Sequence, residues 1–240
     1  MRPLAKIKSW LVCHKRAGVI LVLLGVPLYL PPAQVCYVRF FDPPSTVPRF
    51  LDRFRKTSAG ERVERQELVW LELKNTPALF LSGVLMAEDT QFYEHHGFDW
   101  GGIKNSVKES RKKGTPPRGA STITQQCARS LFLWQGRSWL RKGLEAYYSM
   151  WMELVLPKRR IMELYVNVIE FGNGVYGLEA AARYHYNCHA ADLTVAQISQ
   201  LLAVMPSPRR WNPHQLPEPA AKRQKWLFDS LKNSSPTQAD

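Results

Sequence analysis

The feature that most constrains this chain is an uncharged run of 22 residues near its start, from Ala17 to Val38. An α-helix needs about 20 residues to cross the roughly 30 Å hydrocarbon core of a membrane, so the run is long enough to span it. Lys15 and Arg16 immediately precede the run, and a basic flank is typical of the cytoplasmic side. We therefore predict a transmembrane helix over 17–38, with the rest of the chain outside the cytoplasm.

A cleaved signal peptide and a buried core helix are the alternative interpretations of this run. Residues 31–34 near its end, Pro-Pro-Ala-Gln, offer no convincing small-x-small cleavage site, which favours an uncleaved anchor. A buried core helix of this length rarely lacks a charge. Pro27 and the two prolines at 31–34 disfavour a straight helix as far as residue 38, so an end near Leu30 fits as well.

The rest of the chain divides by composition and periodicity. Prolines at 43, 44 and 48 indicate an extended connector after the anchor. Apolar residues then recur at helical spacing, and no period-2 segment is longer than a few residues, which indicates a mainly α domain. The predicted organisation is a cytoplasmic basic tail (1–16), a transmembrane anchor (17–38), a connector (39–60), one helical domain (61–232) and a frayed tail (233–240).

The net charge of +13 narrows the class of partner. Residues 1–38 carry five bases and no acid, so the other 202 residues hold 28 bases and 20 acids, a net +8. Excess cations imply an anionic partner, which is a nucleic acid, a lipid headgroup or a phosphorylated substrate. Export of the domain excludes nucleic acid. The four cysteines lack a C-x-x-C pair and do not indicate a disulfide scaffold.

The first segment that contains a candidate catalytic residue is an apolar helical stripe that ends in a glutamate. Leu81, Val84, Leu85 and Glu88 follow i, i+3, i+4, i+7 spacing, so a carboxylate lies at the end of an apolar helical stripe. A partly desolvated carboxylate suits general acid or base chemistry. A glutamate that swings out to solvent, or one that pairs with an arginine, fits the same spacing.

A second segment combines a basic stretch with a helix start. Residues 111–119 contain glycines and prolines and are predicted to form a loop. Thr122 and Gln125 then have the spacing of a capping box. The free amides at such a helix start suit an anionic group, although a capped helix after a solvated loop requires no ligand.

The third segment places Arg141, Lys142 and Glu145 on one helix face. This spacing fits an ordinary surface ion pair. It also fits a cationic site for a diphosphate, in which Glu145 orients the two cations or completes a metal site. Helical spacing does not separate these interpretations.

The fourth segment carries a glycine-rich turn. The glycines and the asparagine in 172–177 predict a tight turn between two helices, and the alanines of 180–182 permit close helix packing. His185, Cys188 and His189 resemble metal-ligand spacing, but a fourth ligand is not apparent, so no metal site is predicted there.

Five motifs occur in order along the chain: Glu88-Asp89-x-x-Phe92-x-x-His95-x-Gly97-x-Asp99, Gly119-Ala-Ser-Thr-Ile-Thr-Gln-Gln126, Arg141-Lys142-x-x-Glu145, Arg160-Ile161-x-Glu163-x-Tyr165-x-Asn167, and Leu201-Leu-Ala-x-x-Pro206-x-Pro208. Together these segments resemble the monofunctional biosynthetic peptidoglycan transglycosylases of glycosyltransferase family 51. The sequence departs from the family pattern in two places: Ala120 replaces the second glycine of one motif, and His185-Tyr186 and Cys188 stand where an aromatic pair and a lysine are expected.

The resemblance implies a lysozyme-like, mainly α fold with one N-terminal transmembrane helix, and the polymerisation of lipid II into β-1,4-linked glycan with release of undecaprenyl diphosphate. It implies two catalytic residues, Glu88 as the base for the attacking hydroxyl and Glu145 as the residue that places the cations or a divalent ion. The substrate-binding residues it implies are Asp89, Phe92, Ser121, Thr122, Gln125, Gln126, Arg129, Arg137, Arg141 and Lys142.

The resemblance also implies partners and a location. These are lipid II, the growing lipid-linked glycan, membrane lipids and cell-wall synthesis or division proteins, at the bacterial inner membrane with the catalytic domain in the periplasm. No organic cofactor is expected, and Mg²⁺ at the diphosphate is the candidate ion. A muramidase or lytic transglycosylase and a noncatalytic membrane-anchored scaffold are the competing hypotheses.

Overall fold

The structure is a computed structural model that describes residues 29–55, 66–114, 121–136 and 138–234. Within these ranges it is mainly helical, as predicted, with a short β-hairpin and single 3₁₀ turns at Leu73–Asn75 and Ala190–Asp192. The elements are α1 (29–40), α2 (Val47–Leu51), α3 (Ala78–Glu88), α4 (Trp100–Lys113), α5 (Ile123–Phe132), α6 (Trp139–Val155), α7 (Lys158–Val168), β1 (Glu170–Gly172), β2 (Val175–Tyr176), α8 (Leu178–Tyr186), α9 (Val195–Val204) and α10 (Glu218–Ser234).

Local hydrogen bonds encoded in the sequence set several helix starts. Thr122 and Gln125 form the predicted capping box at the start of α5, with each side chain satisfying the other residue's backbone N–H. Thr194 and Gln197 form an equivalent box at α9, and the Ser138 side chain caps α6. These caps place the beginnings of the helices that carry most of the predicted site.

The core lies where two groups of helices pack. α5 packs against α6 and α7, while α3 packs against α9 and α9 against α10. Phe80, Tyr165 and Phe171 are among the largest fully buried side chains. The alanines of 180–182 are buried in α8, which confirms the close packing predicted for them. Because α3 and α10 both pack against α9 and also contact each other, residues distant in the chain meet there.

The predicted glycine-rich turn between two helices is a β-hairpin that joins α7 to α8. β1 pairs antiparallel with β2, and Gly177 follows with a φ of +86° at the start of α8. A Cβ on Gly177 would lie 2.8 Å from the carbonyl oxygen of Asn167. Only glycine fits this combination of positive φ and close backbone approach.

The segment predicted as an extended connector is helical in part. Residues 47–51 form α2 because the Thr46 side chain accepts the backbone N–H of Arg49 and proline occupies the first turn, where it needs no hydrogen bond. The side chain of Asp52 is then buried and accepts from the Tyr176 hydroxyl at 2.6 Å. The prediction of an extended segment is therefore wrong here, since these residues dock on the domain.

Only part of the predicted transmembrane helix lies in the described residues. Residues 17–28 fall outside them, while 29–38 belong to α1. In the portion that the structure describes, none of the helices combines the length and apolar character needed to cross a membrane. Val35 and Val38 are buried against the domain, and Arg160 Nε donates to the Val38 carbonyl at 2.9 Å. The end of the uncharged run is therefore part of the domain's packing.

Candidate active site

Glu88 is the last residue of α3, and its carboxylate is held from two sides. Its Oε2 accepts from Gln126 Nε2 of α5 at 2.8 Å, and its Oε1 accepts from Arg223 Nη2 of α10 at 2.5 Å. The side chain is 15% exposed. Glu88 therefore does not swing out to solvent; the predicted alternative of an arginine partner is what the structure shows, and Arg223 had no signal in any of the motifs.

An open pocket of about 190 Å³ reaches the Glu88 carboxylate. Its walls come from the end of α3 and the following turn (86–90), from Asp99, and from the start of the second motif at Ser121 and Thr122. The pocket brings four of the predicted site residues together: Glu88, Asp89, Ser121 and Thr122.

Asp89 joins the turn after α3 to the start of α5. Its two oxygens lie 3.0 and 2.9 Å from His95 Nε2, and one of them accepts the backbone N–H of Ile123 at 3.0 Å. His95 Nδ1 accepts the Gly97 N–H at 3.1 Å, so Nε2 is the nitrogen that donates to Asp89. The carboxylate is almost fully buried, and it supports the pocket wall.

Phe92, which was predicted to bind substrate, does not line the Glu88 pocket. Its ring is 0% exposed, it packs edge-on against Tyr93, and the Lys158 ammonium lies 4.5 Å from its ring centroid. A side chain without exposed surface does not touch a substrate, so we correct the expectation: Phe92 stabilises the turn after α3 through packing and a cation–π contact.

Gln126 has a fixed amide orientation. Its Oε1 accepts from the Tyr165 hydroxyl at 3.2 Å, which turns its NH₂ group toward Glu88 and toward the Ser121 carbonyl at 3.4 Å. Complete burial raises the pKa of Tyr165 well above its ordinary value, so the hydroxyl remains a proton donor. Gln125, in contrast, is buried and uses its side chain in the capping box.

Glu145 is at the centre of a cationic cluster on α6. Arg141 Nη1 lies 2.7 Å from one carboxylate oxygen and Lys142 Nζ lies 2.5 Å from the other. The Glu145 side chain is 1% exposed, so the surface ion pair considered for this motif does not apply. Lys142 also donates to Ser121 Oγ at 3.2 Å, which extends the cluster to the Glu88 pocket.

The hydrogen bonds of Glu145 disfavour its predicted role as a ligand of a metal ion. Magnesium needs free oxygen ligands, whereas both oxygens of Glu145 already accept from cations. Within the described ranges, no group of three or more His, Cys, Asp and Glu side chains could hold a metal. His185 contacts the Phe171 carbonyl and His189 contacts Glu179, so the two histidines bind different groups. Glu145 therefore does not fit a metal-ligand role.

A larger pocket, of about 410 Å³, lies beyond the cluster. It is lined by four arginines and one carboxylate: Arg129, Arg141, Arg209, Arg210 and Glu170. Arg209 Nε donates to both oxygens of Glu170, at 2.7 and 2.9 Å. Arg209 and Arg210 were missed in the sequence, although they directly follow the fifth motif. Arg137 lies outside the described residues.

The two pockets are linked by one series of hydrogen bonds, which join side chains except where Gln126 donates to the Ser121 backbone carbonyl. It runs through Glu88, Gln126, Ser121, Lys142, Glu145 and Arg141. A carboxylate that can accept a proton at one end and arginines that can bind an anion at the other fit a group-transfer reaction with an anionic leaving group.

Comparison with known proteins identifies the family. A family model described as transglycosylase matches residues 55–232. The chain is 42% identical over 224 residues to a biosynthetic peptidoglycan transglycosylase of Xylella fastidiosa (strain M12), covering 92% of this chain and 88% of the relative. It is 43% identical over 212 residues to the protein of that name from Xanthomonas campestris pv. campestris (strain B100), covering 85% and 84%. The chain belongs to the transglycosylase family, which confirms the family predicted from the five motifs, and the relatives' names support the predicted peptidoglycan glycosyltransferase.

Proposed function

We propose that this chain polymerises lipid II into β-1,4-linked glycan strands. The 4-hydroxyl of the acceptor's GlcNAc attacks the anomeric carbon of the donor's MurNAc. A new carbon–oxygen bond forms while the bond from that carbon to the diphosphate oxygen breaks, and undecaprenyl diphosphate leaves with the electron pair. The hydroxyl proton passes to the Glu88 carboxylate, which acts as general base.

The observation that carries this proposal is the linkage of the Glu88 pocket to the arginine-lined pocket. Lys142 contacts Ser121 on the Glu88 side and Glu145 on the arginine side. A base and an anion site joined in this way match a reaction in which a hydroxyl loses a proton while a diphosphate gains charge.

The arginine-lined pocket supplies the charge for the leaving diphosphate. Arg129 and Arg141 line it, and Arg141 Nε is a buried donor without a hydrogen-bond partner in the part of the chain that the structure describes. An orphaned guanidinium N–H is costly unless a ligand satisfies it. In our proposal Arg129, Arg137, Arg141 and Lys142 bind the diphosphate.

Glu145 has a positioning role in this scheme. Because its two oxygens hold Arg141 and Lys142, it orients both cations without itself meeting the diphosphate. The expectation of Mg²⁺ therefore concerns an ion bound by the diphosphate, and no proton or bond-making step depends on a metal held by Glu145.

The remaining site residues hold the pocket walls. Ser121 and Gln126 present polar groups beside Glu88, and we propose that they also meet sugar or phosphate oxygens. Thr122, Gln125 and Asp89 fix the start of α5 through the capping box and the Ile123 N–H. Their predicted contribution to substrate binding is indirect in this proposal.

We further propose that the enzyme works at the inner membrane, anchored through the uncharged run that begins at Ala17, with its catalytic domain in the periplasm. A lipid-linked substrate resides in the bilayer. Val35 and Val38 pack on the domain, and the 18 uncharged residues before them, 17–34, are close to the number that a membrane-spanning helix needs. Membrane lipids and cell-wall synthesis or division proteins are the partners that this location implies.

Purified full chain in lipid vesicles tests the reaction. Incubation with lipid II and, separately, with finished glycan strands distinguishes polymerisation from cleavage. We expect polymer from lipid II, and a loss of about 10²–10⁴-fold in rate for Glu88→Gln, the range for removal of a general base. Glu72→Gln, an equivalent change at an exposed glutamate, is the matched control. Cleavage of finished strands without polymerisation supports a muramidase; equal inactivity of wild type and Glu88→Gln on both substrates supports a scaffold.

A further inference from the structure

We propose that Arg223 of α10 is a positioning residue that holds the Glu88 carboxylate in the orientation needed for proton abstraction. The inference rests on the proposed role of Glu88 as base. It adds a residue from the C-terminal helix, 135 positions away in the chain, to a site that the motifs confine to the region before residue 209.

The first support is the double contact made by one nitrogen of Arg223. Nη2 donates to Glu88 Oε1 at 2.5 Å and to the Ala87 carbonyl at 3.1 Å. The last carbonyl groups of a helix have no partner within the helix, and a cation there also interacts favourably with the helix dipole. Arg223 therefore binds the end of α3 and the side chain of its last residue at once.

The second support is the division of the two carboxylate oxygens between two helices. Gln126 of α5 holds Oε2 and Arg223 of α10 holds Oε1. A glutamate carboxylate held through one oxygen can still turn about that contact. With both bound, the remaining lone pairs of each oxygen point in fixed directions, which is the condition for a base that meets its proton at one geometry.

The third support is the cost of the arrangement. The Arg223 side chain is 27% exposed, and its Nε is buried with no hydrogen-bond partner among the described residues. Leu227 and Leu231, one and two turns later on α10, are fully buried, so Arg223 occupies a position on the packed face of the helix. A guanidinium there costs more than an apolar side chain of similar volume, and binding the base accounts for its presence.

The inference makes a kinetic prediction for Arg223→Ala in the full chain with lipid II in vesicles. We expect kcat to fall by about 10²-fold, the scale for a misplaced reacting group, while KM for lipid II changes little because Arg223 does not line the arginine-lined pocket. Lys222→Ala changes an exposed neighbour on the same helix and serves as the matched control with wild-type kinetics.

Chemical rescue distinguishes positioning from a structural role. Guanidinium chloride at a non-denaturing concentration enters the space left by the side chain in Arg223→Ala and should restore part of kcat, with no gain in wild type or in Glu88→Gln. Arg223→Lys keeps the charge but not the guanidinium geometry, so we expect an intermediate kcat. Circular dichroism and thermal unfolding establish that each variant is folded; where Arg223→Ala does not fold, Arg223→Lys and Arg223→Gln carry the kcat comparison.

Several results overturn the inference. They are a folded Arg223→Ala with wild-type or higher kcat, a loss confined to KM, or a folded variant with reduced kcat that guanidinium does not restore. Failure of the proposed function is a separate result, because wild type then forms no polymer from lipid II, or Glu88→Gln polymerises lipid II as fast as wild type. An inactive Glu88→Gln together with a fully active Arg223→Ala removes the role of Arg223 alone.

Discussion

Lys142 Nζ lies 3.2 Å from Ser121 Oγ, and this contact joins the pocket that holds the Glu88 carboxylate to the cluster of cations on α6. The same ammonium is 2.5 Å from Glu145 and is partly open to solvent. It is therefore a cation that can approach an anionic ligand while it remains fixed by two neighbours.

Replacement of Lys142 tests this junction. Lys142→Met keeps most of the side-chain volume and removes the charge, so one charge-assisted hydrogen bond to the diphosphate is lost. We expect kcat/KM for lipid II to fall by about 30-fold, equivalent to about 2 kcal/mol. Lys74→Met, at an exposed lysine, is the control. Equal kcat/KM values for the two variants contradict the assigned role of Lys142.

The buried carboxylate of Glu145 makes a stability prediction. Glu145→Gln leaves Arg141, itself buried, beside Lys142 without a neutralising charge. Removal of one partner from a buried ion cluster destabilises a fold strongly, and we expect the free energy of unfolding to fall by about 3 kcal/mol. Urea denaturation of the full chain in detergent measures it. Glu218→Gln breaks an exposed pair on α10 and should change stability by well under about 1 kcal/mol; similar losses in both variants argue against a buried cluster.

Gly177 makes a backbone prediction. An alanine there adopts a positive φ, and its Cβ meets the Asn167 carbonyl at 2.8 Å, so we expect Gly177→Ala to destabilise the domain by about 1–3 kcal/mol. Gly143 lies within α6, and a Cβ added to it would meet open space. Gly143→Ala should therefore stabilise by about 0.5–1 kcal/mol. The two variants should shift the thermal midpoint in opposite directions, and shifts of the same sign contradict the geometry.

His185 makes a pH prediction. Burial lowers the pKa of His185 from its ordinary value of 6.5, so the folded protein favours the neutral ring, which contacts the Phe171 carbonyl at 3.1 Å. The neutral ring contributes its full stabilisation above the pKa of the histidine in the unfolded chain. This contribution is lost as the pH falls from that value to the lower pKa of the folded protein. We expect the thermal midpoint to fall as the pH is lowered from about 7.5 to about 5, and to fall less in His185→Gln. His96→Gln, at an exposed histidine, should keep the wild-type dependence; an unchanged dependence in His185→Gln contradicts the prediction.

Much of the fold follows from contacts between residues close in the chain. The capping box of Thr122 and Gln125 and the shared face of Arg141, Lys142 and Glu145 depend only on helical spacing, and the structure shows both. The helical spacing of Leu81, Val84, Leu85 and Glu88 is also observed, since all four lie in α3. Regular spacing is readable because the helix repeats its geometry every few residues.

Burial of residues by segments that are distant in the chain could not be predicted from the sequence. Proline content alone suggested an extended connector, yet residues 47–51 form α2 and the Asp52 side chain is buried against Tyr176. The motif placed Phe92 among the substrate-binding residues, yet its ring is enclosed by the core. Neither outcome is encoded in local spacing, because burial depends on which elements arrive from elsewhere in the chain.

The sequence by itself therefore determined the family, the mainly α character and the candidate base, because motifs and helical periodicity are local properties. Only the tertiary structure decided that Arg223 binds Glu88 and that Arg209 binds Glu170. Each pair joins segments far apart in the chain, and their meeting is set by how α10 packs against α3 and α9 and how the segment after α9 returns to the hairpin. Pairwise geometry of that kind arises from the packing of the whole core.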